Sequence, residues 1–405
     1  MTPLPIDPDR MLRDLDHLRG IGAQGTGVAR MAFSAADIAA RRWLVQQIVA
    51  AGLQPVVDAC GNVFGVPPGD GPCLLVGSHS DTQPLGGWLD GAYGVIAGLE
   101  LARAARASGA PRVAVVSFQD EEGRFGGVAG SAVWSGAMSM ADADAQTDGD
   151  GVSFAQARRA AAEIAPVSDA PPPDAFAAYI EPHIEQGPAL DTAGQAIGVV
   201  DAIVGVRSWT ITFTGQANHA GTTPMPLRRD AVQGLGRYIP ALNAALAPLV
   251  DARSVWTLGR ITVTPNAPSV VPGQASVSVQ MRDSDPARLD AMHAAAADCA
   301  RAVAADAGLT VEATPGLSLD PTPMDAALVA LLARAAQAQA PDAWRQMPSG
   351  ALHDACNVAA RLPAAMLFVP SIGGISHNPD EDTRRADLAT GLRVLADAAA
   401  GWAAR

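Results

Sequence analysis

Five of the seven histidines stand in short loops rich in Gly, Ser, Asp and Glu: His79 in GSHSDT, His183 in HIEQG, His219 in ANHAGTTPM, His353 in SGALHDA and His377 in GISHNPDE. The other two, His17 and His293, lie in helical, charged surroundings. One such histidine is ordinarily a surface or satisfied core imidazole; five beside carboxylates and glycines point to metal ligation or proton transfer. His79 and Asp81 form an H-x-D pair straight after the apolar run CLLV, and Asp90 follows between glycine-bearing turns. A ligating imidazole needs an acceptor for its second nitrogen, which suits Asp81 and leaves His79 and Asp90 as ligands. Glu121 and Glu122 follow the apolar run VAVVSF. Adjacent glutamates there are costly unless they bind or react, and one can hold a metal while the other moves a proton to and from water. The competing readings are a turn with capping aspartates and a solvated acidic turn.

The candidate ligands are thus His79, Asp90, Glu122, His183 and His377. Three imidazoles and two carboxylates exceed what one tetrahedral zinc with an open position takes, and fit two cations sharing a carboxylate. Prominent imidazole favours zinc, manganese, cobalt or nickel over magnesium or calcium. His353 reads differently: MPSGALHDACNVA resembles a helix start capped by Ser349, with the histidine orienting or packing rather than ligating.

Positioning these loops requires strands that end together. Short apolar runs alternate with helical patterns such as 35–52 and GVIAGLELARAARASG, which predicts an α/β fold with a mainly parallel sheet covered by helices. In such sheets functional side chains gather at the carboxyl ends of strands. Residues 137–177, rich in Ala and Asp with PPP at 171–173, read as a surface helix flanked by linker. Residues 207–314 change character to a β-α-β-β-α-β order, the ferredoxin-like pattern. The expected organisation is a catalytic domain in two parts, 1–206 and 315–405, with 207–314 inserted between them. His219 lies in the insertion, so it must reach the other loops across a domain or subunit boundary.

Composition excludes much else. All 28 basic residues are arginine, which rules out Schiff-base, pyridoxal-anchoring and phosphate-loop lysines. A formal charge of −13 argues against nucleic acid, and no apolar run is long enough to span a bilayer. The polar start MTPLPIDPDRMLRDLDHLRG lacks a signal-peptide core, and Cys60, Cys73, Cys299 and Cys356 have neither metal-like nor disulfide-like spacing. A cytoplasmic location is expected.

Together the segments GSHSDT, GGWLDG, DEEG-RF, HIEQG, ANHAGTTPM, VVPG followed by MRD, PSGALHDA and GISHNPDE resemble, in order and over nearly the whole chain, the hydantoinase/carbamoylase branch of the M20 metallohydrolases. That branch includes N-carbamoyl-L-amino-acid hydrolases, allantoate amidohydrolases and β-ureidopropionases. The resemblance implies a metallohydrolase catalytic domain with an inserted dimerisation lid. It implies two divalent metals held by His79, Asp90, Glu122, His183 and His377, with Asp90 bridging. Glu121 would be the general acid/base and Asp81 the residue orienting His79. His219 would enter a neighbouring subunit's site and polarise the scissile carbonyl, which implies a homodimer. Arg282 would grip a substrate carboxylate, with Gln186, Ser269, Gly350 and Ala351 as further contacts.

Three departures stand out. Gly123 is followed at once by Arg124, one residue short of the family's usual loop. Ser269 stands where many relatives carry asparagine, and Glu181-Pro182 precede His183 where a leucine is common, a difference given little weight. The expected reaction is hydrolysis of a linear C–N bond in an N-carbamoyl (ureido) L-amino acid, with allantoate as the rival substrate. A non-catalytic ligand-binding homologue would show a broken ligand set or a replaced base, and both are intact here.

Overall fold

The computed structural model describes residues 4–109 and 111–403, which fold as two compact units. The larger comprises the chain up to Asp201 and from Met324 onward, and the smaller is Ala202–Pro323.

Four parallel strands form the centre of the larger unit, in the order Val113–Phe118, Leu74–His79, Ala178–Ile184, Ala364–Val369. Every residue of the four is buried. That burial explains their continuous apolar runs, because helices cover the sheet and leave no wet face to demand alternation. Antiparallel strands flank this centre: Val63–Val66 and Gln54–Val57 on one side, Ile197–Ile203 on the other. The five residues 58–62 joining the first two are too few for a parallel crossover, so that pair is a hairpin.

The four central strands run the same way, so the loops that follow them emerge at one edge. These loops, after His79, Phe118, Ile184 and Val369, are the ones that carry the motifs.

The 137–177 segment differs from expectation. It holds three short α-helices, Met140–Ala145, Phe154–Ala157 and Ala161–Ile164, and two 3-10 turns instead of one helix, and it buries Phe154 and Ile164. Alanine favours helix throughout, but Asp148 accepts from the Asp150 and Val152 amides and bends the chain between the first two.

In the smaller unit the order is strand Gly205–Thr214, helix Ala231–Leu246, strands Val255–Thr264 and Gln274–Asp283, helix Pro286–Asp306 and strand Thr310–Leu319. The sheet is wholly antiparallel, ordered 255–264, 274–283, 205–214, 310–319. Alternate residues Ile211, Phe213, Val277 and Val279 pack with Leu235, Tyr238 and Met292 of the helices. The unit extends beyond the 207–314 window at both ends. Its first strand begins at Gly205, and its last passes Pro315 to Leu319. Pro315 does not end that strand because it lies at the sheet edge, where a missing amide donor is tolerated.

Candidate metal centre

His79 ends its strand and Asp90 precedes helix Ala92–Ser108, while His183 lies near the end of the neighbouring strand. His79 Nε2 stands 3.5 Å and His183 Nε2 3.1 Å from the same oxygen, Asp90 Oδ1. The other oxygen, Asp90 Oδ2, stands 3.3 Å from His377 Nε2, which is itself 3.3 Å from Glu122 Oε2. Two triads therefore share Asp90: His79, Asp90 and His183, and Asp90, Glu122 and His377.

Main-chain carbonyls set the direction of two imidazoles. His79 Nδ1 faces Asp81 O at 3.1 Å, and His183 Nδ1 faces Ile184 O at 2.9 Å, so both Nε2 atoms point inward. Asp81 thus orients His79 through its carbonyl. Its carboxylate is 3.8 Å from the ring and instead accepts the Glu122 amide at 3.2 Å.

The donor set fits divalent cations. His79 Nε2 and Asp90 Oδ1 are buried without a hydrogen-bond partner. The neutral His79 Nε2 facing Asp90 Oδ1 at 3.5 Å places two acceptors together, which requires a proton or a cation between them, while His183 Nε2 also accepts the Gly91 amide at 3.1 Å. Ligand atoms about 2.1 Å from a tetrahedral zinc stand roughly 3.4 Å apart, in line with the separations seen here. Electrostatics agree. Burial, reinforced by Asp90, pushes the Glu122 carboxyl up to about 7. Burial alone would lower the His79 imidazole, but Glu121, Asp90 and Asp81 hold it well above its usual range. Both shifts follow from carboxylates crowded together in a buried site, where each disfavours the ionised form of the next and favours a cation beside it.

Further groups hold the ligands. Glu381 Oε1 accepts the amides of Leu89 and Asp90 at 3.0 and 3.1 Å, and its other oxygen accepts from Ser376 Oγ at 2.9 Å. Glu181, the departure given little weight, ties its strand to the neighbouring strand and to helix Asp354–Val358 by accepting Ser78 Oγ and the Ala355 amide, both at 2.7 Å. Gln83 donates to Glu122 Oε2 at 2.8 Å. Sequence reasoning missed these roles; Glu381, within the NPDE segment, carried a visible signal. Gln186 Nε2 lies 2.8 Å from Asp90 Oδ2 and 3.3 Å from His377 Nε2. Gln186 and His377 both adopt left-handed backbone, at φ 57° and 53°. Such conformations cost energy and persist where the surroundings impose them.

His353, not Ser349, is the N-cap of helix Asp354–Val358, and it makes no side-chain cap bond. Ser349 Oγ instead accepts the Ala351 amide at 3.2 Å and lies 2.9 Å from His353 Nε2, because the Gly350–Ala351 turn folds back on it. The His353 ring packs edge-on to His183 at 4.5 Å, an orienting contact.

Gly91 adopts φ +63°, and a Cβ there would meet the His79 imidazole at 2.4 Å. Gly91→Ala is expected to cost about 2 kcal/mol of stability and to reduce bound metal, read by thermal unfolding and metal analysis.

The profile of peptidase family M20/M25/M40 matches residues 75–401. The chain belongs to that family. It is 36% identical over 391 residues to the allantoate amidohydrolase of Escherichia coli, covering 94% of this chain and 95% of that one. It is 33% identical over 405 residues to the N-carbamoyl-L-amino-acid amidohydrolase of Paenarthrobacter aurescens, covering 98% of each. An amidase of the hydantoinase/carbamoylase family from Burkholderia phymatum superposes with a TM-score of 0.94 at 43% identity, covering 100% of this chain and 99% of that one.

In this M20 chain, Glu121 stands 3.5 Å from His79 Nε2 and takes part in neither ligand triad. Burial raises its carboxyl well above the usual range, against His79 and with Asp354, Glu122 and Asp90 adding to the rise. After the shortened EEG-RF loop, Arg124 is held by Asp148 at 3.0 Å and by Ala32 O at 2.7 Å. Beside it lies a cavity of about 310 Å³ whose lining includes Gln83, Glu122, Arg124 and Asp148.

His219, Ser269 and Arg282 belong to the smaller unit. The pair Asn218–His219 is joined antiparallel to Val270–Val271, which sets His219 close to Ser269. His219 Nδ1 accepts the Gly221 and Thr222 amides at 3.0 and 3.1 Å, which leaves the proton on Nε2 of an exposed ring. Arg282 lies on strand Gln274–Asp283, with its Nε 3.1 Å from Gln280 Oε1. No helix among the described residues is long and apolar enough to cross a membrane.

Proposed function

We propose that this M20 chain is a binuclear metal-dependent amidohydrolase that cleaves a linear C–N bond of an N-carbamoyl (ureido) L-amino acid, yielding the amino acid, CO2 and NH3. The sharing of Asp90 between two ligand triads carries the reading. His79 and His183 would hold one cation, Glu122 and His377 the other, and Asp90 both. When bound, the cations supply the positive charge that activates water and the carbamoyl carbonyl. Imidazole ligands favour zinc, manganese, cobalt or nickel.

Glu121 takes the proton of the attacking water and returns it to the leaving nitrogen. Asp81 holds His79 in its ligating orientation. The Nε2–H of His219, its tautomer fixed by two amides, donates to the developing oxyanion. We assign His219 to the partner's site in a homodimer. Arg282 receives the substrate carboxylate through its planar fork, with Gln186, Ser269, Gly350 and Ala351 completing the contacts. The buried thiols of Cys60 and Cys73 suit a reducing cytoplasm.

The deciding experiment assays chelator-treated protein, reloaded separately with Zn2+, Mn2+, Co2+ or Ni2+, against a panel of carbamoyl amino acids. Release of neither ammonia nor amine under any metal would sink the proposal. The 36% identity to an allantoate amidohydrolase supports allantoate as a second reading. Kinetics on allantoate and N-carbamoyl-methionine, side by side, separate the two. For the cross-subunit role, co-expressed Glu121→Gln and His219→Ala chains should recover about a quarter of wild-type activity, since half of random dimers hold one intact site. No recovery in co-purified mixed dimers would place His219 in its own subunit's site.

A further inference from the structure

Two arginines of the larger unit, Arg30 and Arg41, are fully buried and take no part in the chemistry above. A buried guanidinium is costly unless its donors are engaged. Arg41, in helix Ala35–Ala50, directs Nε to Asp37 Oδ1 at 2.8 Å and Nη2 to Phe118 O at 2.8 Å. Its Nη1 reaches Ser117 O at 3.1 Å and Gly61 O at 3.3 Å, while Nη2 also stands 3.8 Å from Asp81 Oδ1. Asp37 anchors this arrangement, because its second oxygen accepts the Phe33 amide at 2.8 Å and Gln119 Nε2 at 2.9 Å. Just past the end of the adjoining strand, Ser80 O accepts from Arg30 Nε at 2.6 Å, and Ser117 Oγ links to Ser80 Oγ at 3.0 Å.

These acceptors sit where the chemistry begins. Ser80 follows His79, and Phe118 closes the strand that leads to Glu121 and Glu122. The two strands are in register there, His79 opposite Phe118. Carbonyls at the end of a strand run out of ladder partners, and buried ones must find donors elsewhere. All three residues, Arg30, Asp37 and Arg41, precede the stretch 75–401 matched by the family profile.

We propose that Arg41 is a positioning residue of the metal centre. It holds the end of strand Val113–Phe118 and the Asp81 carboxylate in place, and so sets where His79 and the Glu121–Glu122 pair stand. The inference rests on the reading of the centre as a metal site. A planar fork serves acceptors lying in several directions, whereas an ammonium keeps the charge but not that geometry. Arg41→Lys therefore separates placement from charge.

In full-length protein stripped by a chelator and titrated with Zn2+ or Mn2+, Arg41→Lys is expected to bind metal about 10- to 100-fold more weakly. Its kcat should fall by a similar factor, with KM held within about twofold. Arg103→Lys, which disturbs contacts to Asp14, Gln47 and Glu100, should lower Tm and leave metal affinity at the wild-type value. Asp37→Asn loosens Arg41 without removing it and should show the same weakened metal binding; it replaces Arg41→Lys if that variant is not recovered folded. Wild-type metal affinity in the folded variant overturns the inference alone. A wild-type protein that takes up neither metal overturns the site reading and the inference with it.

Discussion

Glu121→Gln is expected to abolish turnover and to leave bound metal unchanged. The substitution keeps the shape of the side chain and removes its capacity to carry a proton. Glu121 Oε2 faces His79 Nε2 at 3.5 Å, yet the ligand triads close without it. Loss of a general acid/base typically costs about 10²- to 10⁴-fold in rate, and in the proposed reaction one group serves both proton transfers. A solvated glutamate would be a poor base near neutrality, whereas burial raises the proton affinity of Glu121. The measurement is kcat on the best substrate of the panel beside metal content by elemental analysis. An active variant would remove Glu121 from the reaction, and a metal-poor variant would make it a ligand.

Asp90→Asn strikes the other half of the chemistry. The carboxylate offers one oxygen to His79 and His183 and the other to His377. An amide keeps one acceptor and turns a donor toward the second triad, so it can serve one side only. Metal content should fall from about two ions per chain to at most one, with activity reduced by more than about 10²-fold. Metal binding stabilises the state that holds it, so added metal should raise Tm in the wild type and raise it less in the variant. Two ions retained at full affinity would show that Asp90 bridges nothing.

The two variants are expected to fail in different ways, which would separate a proton carrier from a ligand. That separation follows from geometry. Glu121 and Glu122 are adjacent in the chain, but the turn after Phe118 sends Glu122 to His377 and Glu121 to His79.

Much of this site was legible in the residues alone. His79, Asp90, Glu122, His183 and His377 stood out because imidazoles and carboxylates in glycine-rich loops after apolar strands have few structural uses. The fold was legible for a related reason, since buried parallel strands and the alternating strands of the smaller unit leave different apolar patterns. Single residues misled where a local rule met tertiary competition. Ser349 is a good helix cap by type, but its hydroxyl is taken by Ala351 and His353. Asp81 stands beside His79, but its carbonyl rather than its carboxylate meets the ring.

The sequence by itself determined the candidate ligand types, the pair of adjacent glutamates beside them and the alternation of strands and helices, because these depend on side-chain chemistry and local periodicity. Only the tertiary structure decided which imidazoles meet each oxygen of Asp90, that Glu381 ties down the Asp90 loop and that Arg41 grips the strand end behind Glu121. Those relations join residues tens to hundreds of positions apart. They exist because parallel strands bring distant loops to one edge, and no spacing along the chain records which carbonyl a buried arginine will find there.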